Sequence, residues 1–307
     1  MPPRPRKPSR RYRIKAASNP AKPYFALLDL PAELRNWIYR YALTALEGVT
    51  VAWRAGSNRR KKKPVMVLDK EDGTSHTGIN MLQFVNRQLR KETAGLEIQY
   101  NRVTFTSYPR PQGDAMLGLY IFVGSCAPTR TLWLTHVVLE GFHEPDRTSG
   151  QTRPISWIHN HATNLLRLVT FCLGHSYMRV DFRMPGFTFV EADFMPMPCN
   201  IMCLGVLLTR LFKGLDISHI TKGIQDIAPF DELLADKFGE QGRELQRRAV
   251  DAINLRILPT HRALDLEEFR GRLPSGLEHD LARQVYLASG GAEVWIAYAQ
   301  RWIAEGI

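Results

Sequence analysis

Four short constellations carry the side chains that could serve as nucleophile, base, metal ligand or polycation. Gly174-His175-Ser176-Tyr177-Met178 resembles a nucleophile elbow, where small residues around a serine let a strained strand-to-helix turn present its hydroxyl. Met178 stands where the last glycine belongs, and a helix-like stretch precedes the serine while a strand-like one follows it. The segment therefore reads as a turn joining helix to strand. Cys199 and Cys203 are four apart and can share a helical face, but zinc needs further soft ligands and there is no second cysteine pair, so both read as buried thiols. His159-Asn160-His161 precedes an apolar helix with no acid at metal spacing, and Asn160 reads as a cap. Neither a G-x-G-x-x-G segment nor a Walker loop occurs. These residues predict no catalytic site, no metal and no cofactor, and hence a protein that is not an enzyme.

The fourth constellation is cationic. Arg59, Arg60, Lys61, Lys62 and Lys63, followed by Pro64, form a short extended tract suited to the acidic grooves of nuclear-import receptors. A solvated loop explains the same run equally well. The formal net charge is +11, but eight cations without an acid lie in residues 1–23 and five more in the tract, so the rest is within two charges of neutral. Local basic tracts on a near-neutral body favour non-specific phosphate contact over a dedicated nucleic-acid domain.

The elements that must position such groups follow from composition and periodicity. With 307 residues, 44% of them hydrophobic, the chain can bury a substantial core. Residues 1–23 read as a disordered basic tail, because apolar burial is too scarce to offset ordering entropy. Val49–Trp53 and Pro64–Leu68 read as a hairpin with the basic run at its exposed tip. A helix is predicted over residues 79–100, with Leu82, Val85, Leu89, Thr93, Leu96 and Tyr100 at steps of three and four, then a strand at Val103–Phe105.

From residue 114 a helix-then-strand unit recurs: 114–126 then 132–139, 160–173 then 178–184, and 199–213 then 215–220. Met178, Val180, Phe182 and Met184 alternate with Arg179, Asp181 and Arg183, so one face of that strand should be buried. Helices are expected over 231–255, 277–288 and 291–304. No signal peptide, glycosylation sequon or apolar run long enough for a membrane span appears, which points to an intracellular protein of nucleus or cytoplasm with no membrane contact.

One helix is distinctive. Leu30, Leu34, Trp37, Ile38 and Tyr41 fall on one stripe of a helix over 30–43, with Pro31 suited to its opening turn and Asp29 placed to accept from its unpaired N–H groups. That stripe fits packing against the helix of 79–100, and it fits a partner surface. Leu30-Pro31-x-Glu33-Leu34-Arg35, then Asn86-Arg87-Gln88-Leu89-Arg90-x-Glu92, then Tyr100-Asn101-Arg102-Val103-Thr104-Phe105, resemble in order the blocks of a large group of fungal F-box-like proteins. The resemblance covers about residues 25–105.

The resemblance implies an F-box-like domain over 24–108 and a leucine-rich-repeat-like body over 109–307 with a helical C-terminal part. The fold class expected is α+β: F-box-like helices with a hairpin insertion, then helix-strand units building a leucine-rich-repeat-like sheet. It also implies a substrate-receptor adaptor of a Skp1-cullin ubiquitin ligase, with Leu30, Pro31, Leu34, Trp37 and Ile38 facing Skp1. The chain departs from the F-box pattern in the roughly forty residues separating its first two blocks. The competing expectation is a nucleic-acid-associated nuclear protein acting through its basic tail and loop.

Overall fold

Among the described residues, six strands form one sheet in the order β2-β1-β3-β4-β5-β6, where β1 is Val49–Ala55, β2 Lys62–Leu68, β3 Val103–Thr106, β4 His136–Glu140, β5 Arg179–Arg183 and β6 Leu255–Leu258. β1, β3, β4, β5 and β6 run parallel, and β2 pairs antiparallel with β1 at one edge. The computed structural model describes residues 27–55, 62–68, 80–106, 115–140, 154–184, 187, 197–214, 240, 243–260, 265–276, 286–287 and 290–307. The class is mixed helix and strand, as expected.

Parallel strands require crossovers, and helices supply them. Helices among the described residues include α1 Ala32–Leu43, α2 Arg87–Thr93, α3 Leu96–Tyr100, α4 Ala115–Ser125, α5 Pro128–Thr131, α6 Pro154–Gly174, α7 Met197–Lys213, α8 over 243–249, α9 Leu266–Gly276 and α10 Ala292–Glu305. One core takes the inward residues of β1, β3, β4, β5 and β6. Val49, Val51, Val103, Phe105, Val137, Leu139, Val180, Phe182, Leu255 and Ile257 pack there with Leu119, Leu168, Leu208 and Trp295 of the helices. Val138 and Leu258, on the opposite face by strand alternation, are buried but stand outside this cluster.

Several expectations change. The hairpin is the edge of the main sheet, because β1 pairs with β3. Lys62 and Lys63 are not in the tip: they open β2, opposite Ala55 and Arg54. With Pro64 they mark an edge strand that resists further pairing. The helix predicted over 79–100 is three pieces, a 3-10 turn at Met81–Phe84, then α2, then α3. Asn86 breaks it first, its side chain accepting from the Leu89 N–H at 2.8 Å to cap α2. Gly95 breaks it again with φ +90°, a left-handed turn that favours glycine.

The helix expected over 231–255 ends early, and Leu255 instead starts β6, a four-residue buried strand that periodicity cannot separate from a helix end. Asn160 does not cap a helix: α6 begins six residues earlier, at Pro154. The basic tail 1–23, the tract residues Arg59, Arg60 and Lys61, the strand expected at 215–220 and most of 277–288 lie outside the described residues. No helix among the described residues is long and apolar enough to cross a membrane.

Candidate interaction surface

α1 is attached by the face opposite its expected stripe. Tyr39 and Leu43 are its buried residues, and with Leu89 they form a small cluster apart from the main core, flanked by Leu27, Leu28, Leu82, Leu96 and Tyr100. A polar knot closes this seam. Glu92 accepts from Arg35 Nε and Nη2, both at 3.1 Å, from the Tyr39 hydroxyl, and from Gln88 Nε2 at 2.9 Å. Arg35 also donates to the Leu30 carbonyl at 2.6 Å, which ties the entry of α1 to its second turn.

The knot shifts its members. Burial, then the hydrogen bond to Glu92, pushes the Tyr39 hydroxyl up to about 12. The Tyr39 hydroxyl, ahead of Gln88 and Arg35, holds the Glu92 carboxyl below the ordinary carboxylate range.

Two buried asparagines complete the unit. Asn101 Nδ2 donates to the Leu43 carbonyl at 2.6 Å and the Glu97 carbonyl at 2.9 Å, while its Oδ1 accepts from the Ala45 N–H at 2.6 Å. The end of α1 is thereby fastened to α3. Asn80 Nδ2 donates to the Thr93 carbonyl at 2.7 Å and to Glu97 at 2.9 Å. Gly48 lets the chain turn into β1, with φ +82° and no room for a Cβ, which would lie 2.5 Å from the Arg102 carbonyl.

With α1 pinned this way, its apolar stripe points outward. Leu34 is 50% exposed, Trp37 70%, Ile38 36% and Tyr41 90%. Leu30 is half-buried and Pro31 is exposed. The sequence thus brought four of the five partner-facing candidates to the surface, with Leu30 partly covered. Pro31 occupies the residue before the first helical turn, and no side chain caps α1, so Asp29 does not take the capping role expected of it. Met81, Phe84 and Val85 form a second exposed apolar group at the 3-10 turn. The signal for it was the Phe84-Val85 pair directly before the Asn86 cap.

The outward face of the sheet carries charge instead. Asp181 on β5 accepts from His136 Nε2 at 3.0 Å and Arg179 Nε at 3.1 Å, with Arg256 Nη1 at 3.9 Å, and Arg183 pairs with Glu140 at 3.3 Å. Burial works to raise the Asp181 carboxyl, but hydrogen bonds from His136 and Arg179 outweigh it and hold the group low. These side chains are held in ion pairs. The His175–Tyr177 segment is a turn between α6 and β5, where the His175 ring stacks on Phe171 at 4.2 Å and Nδ1 lies 2.8 Å from the Phe171 carbonyl. Asn254 Nδ2 secures that turn, lying 2.8–3.1 Å from the carbonyls of Met178, Cys172 and His175. No group of three or more His, Cys, Asp or Glu among the described residues could hold a metal ion. The side chains of Cys199 and Cys203 lie outside the described residues.

Compared with family models, with curated proteins and with solved structures, the chain finds no match.

Proposed function

We propose that this chain is a non-enzymatic protein-interaction module that offers α1 to a Skp1-like adaptor, with the sheet body as a second, target-holding part. The carrying observation is that α1 buries Tyr39 and Leu43 while Leu34, Trp37, Ile38 and Tyr41 face solvent. A helix apolar on two opposite faces has one face left for a partner, and exposed apolar patches of a few hundred Å² are often functional.

The resembling blocks also meet in space. Arg35 of the first block grips Glu92 of the second, Asn86 of the second caps α2, and Asn101 of the third fastens the end of α1. The residues that define the pattern are those holding α1 outward, which favours an F-box-like unit. Two features favour a repeat-like body: the order β1-β3-β4-β5-β6 adds each parallel strand on the same side of the last, and the main core lies on one sheet face.

Capture of purified Skp1 by the full chain tests this reading. Wild type is expected to retain Skp1, and Leu34→Asp and Trp37→Glu to lose it while their circular dichroism stays unchanged, because both positions are exposed. Absence of capture by wild type removes the adaptor role.

A further inference from the structure

We infer that the outward stripe of α1 also closes on a second copy of this chain, so that the protein is a two-fold dimer when no adaptor occupies the surface. The proposal rests on the reading of α1 as a docking helix. Its readout, the oligomeric state, is separate from adaptor capture.

Area and charge both point to this occupant. Counting ~150–250 Å² for each large aromatic side chain and somewhat less for an aliphatic one, the exposed parts of Leu34, Trp37, Ile38 and Tyr41 sum to roughly 500 Å² per copy. Fully covered, the stripes of two copies would bury at most about 1,000 Å², which reaches the lower limit for a specific interface. The four residues span two helical turns, so two such stripes can lie along one another over their whole length.

Charge selects the antiparallel arrangement. Glu33 and Arg40 are seven residues apart, which puts them on the same edge of the stripe at its opposite ends. Both are exposed, and neither has an ion-pair partner among the described residues. When two identical helices pack antiparallel, like edges face each other, so Glu33 comes beside the partner's Arg40 and Arg40 beside the partner's Glu33. A parallel pair would set this edge against the other one, which carries the small Ala42 and the already engaged Arg35. Two-fold symmetry therefore turns one Glu-Arg spacing into two cross-copy ion pairs around an apolar seam.

Dimerisation and adaptor binding would then exclude each other, since both use Leu34 and Trp37. The consequence is a threshold: adaptor capture must displace the second copy.

Sedimentation equilibrium of the full chain, with circular dichroism on every variant, tests the proposal. Wild type is expected to show a reversible monomer–dimer equilibrium, and Trp37→Glu to be monomeric with an unchanged spectrum. Glu33→Arg and Arg40→Glu singly place like charges together and should weaken the dimer roughly two- to thirtyfold, from two surface pairs. The double variant Glu33→Arg with Arg40→Glu should recover the wild-type constant within about threefold, because the swapped pairs re-form. A wild type that stays monomeric, a Trp37→Glu variant that still dimerises, or a double variant no better than the singles overturns it.

Discussion

Replacing Glu92 by Gln should loosen α1 without unfolding the sheet, and the structure sets the size of the effect. The substitution keeps the shape and one carbonyl acceptor but removes the charge that holds Arg35 Nε and Nη2 and the Tyr39 hydroxyl. Bonds to a charged partner contribute about 1.5–3 kcal/mol each when fully buried. The Arg35 and Glu92 side chains keep 16% and 26% of their exposure, so water recovers part of the loss and ~2 kcal/mol remains. Because Tyr39, Leu43 and Leu89 form a cluster separate from the main core, that loss falls on the local docking of α1. Two kcal/mol corresponds to about a thirtyfold larger opening equilibrium.

Hydrogen–deuterium exchange read by mass spectrometry resolves the two regions. Amides of α1 should exchange about thirtyfold faster in Glu92→Gln, while those of β3, β4 and β5 keep their wild-type rates. A change of less than about threefold in α1, or an equal acceleration in the sheet, refutes a separately anchored helix. The pH dependence has a fixed sign. The folded Glu92 carboxyl is held below its ordinary value of 4.5, so its contribution is complete above that value and disappears as the pH falls through the folded one. Protection of α1 should therefore decline in wild type below pH 4.5, with that decline reduced in Glu92→Gln.

Asn101→Ala strips three hydrogen bonds from a residue only 6% exposed, and should lower thermal stability by about 2–3 kcal/mol in a calorimetric melt, since it orphans the Leu43 carbonyl and Ala45 N–H. Gly205→Ala drives a Cβ to 2.2 Å from the Trp302 ring and should cost about 1–3 kcal/mol by denaturant titration, by forcing α7 and α10 apart. Asp181→Asn leaves Arg179 and His136 without their shared carboxylate. In wild type, whose Asp181 carboxyl is held below 3.8, the corresponding stability is present above that value and lost on acidification through the folded one, so the melting difference between the two proteins should shrink at low pH.

What could be read along the chain was whatever depends on neighbours in sequence. The start of α1, the alternation that buries Met178, Val180, Phe182 and Met184, the strand at Val103 and the final helix with Trp295 and Trp302 all follow from local period and composition, and all are present. Asn86 and Gly95 carried signals of helix interruption too, but a sustained apolar period across 79–100 hid them. β6 was hidden for a different reason: a short buried strand has no amphipathic pattern to distinguish it, and only its pairing with β5 defines it.

The stripe at Leu34, Trp37, Ile38 and Tyr41 was fixed by sequence spacing alone, since 3.6 residues per turn puts those side chains together in any helix. Which way the stripe faces was decided by tertiary structure. Tyr39 and Leu43, an unremarkable pair in the sequence, bury because Glu92 and Asn101, more than fifty residues away, supply polar partners that only the folded chain brings within reach. Periodicity groups residues on a face, but burial is chosen by whichever face finds complementary hydrogen bonds as well as apolar contact, and that complementarity is long-range.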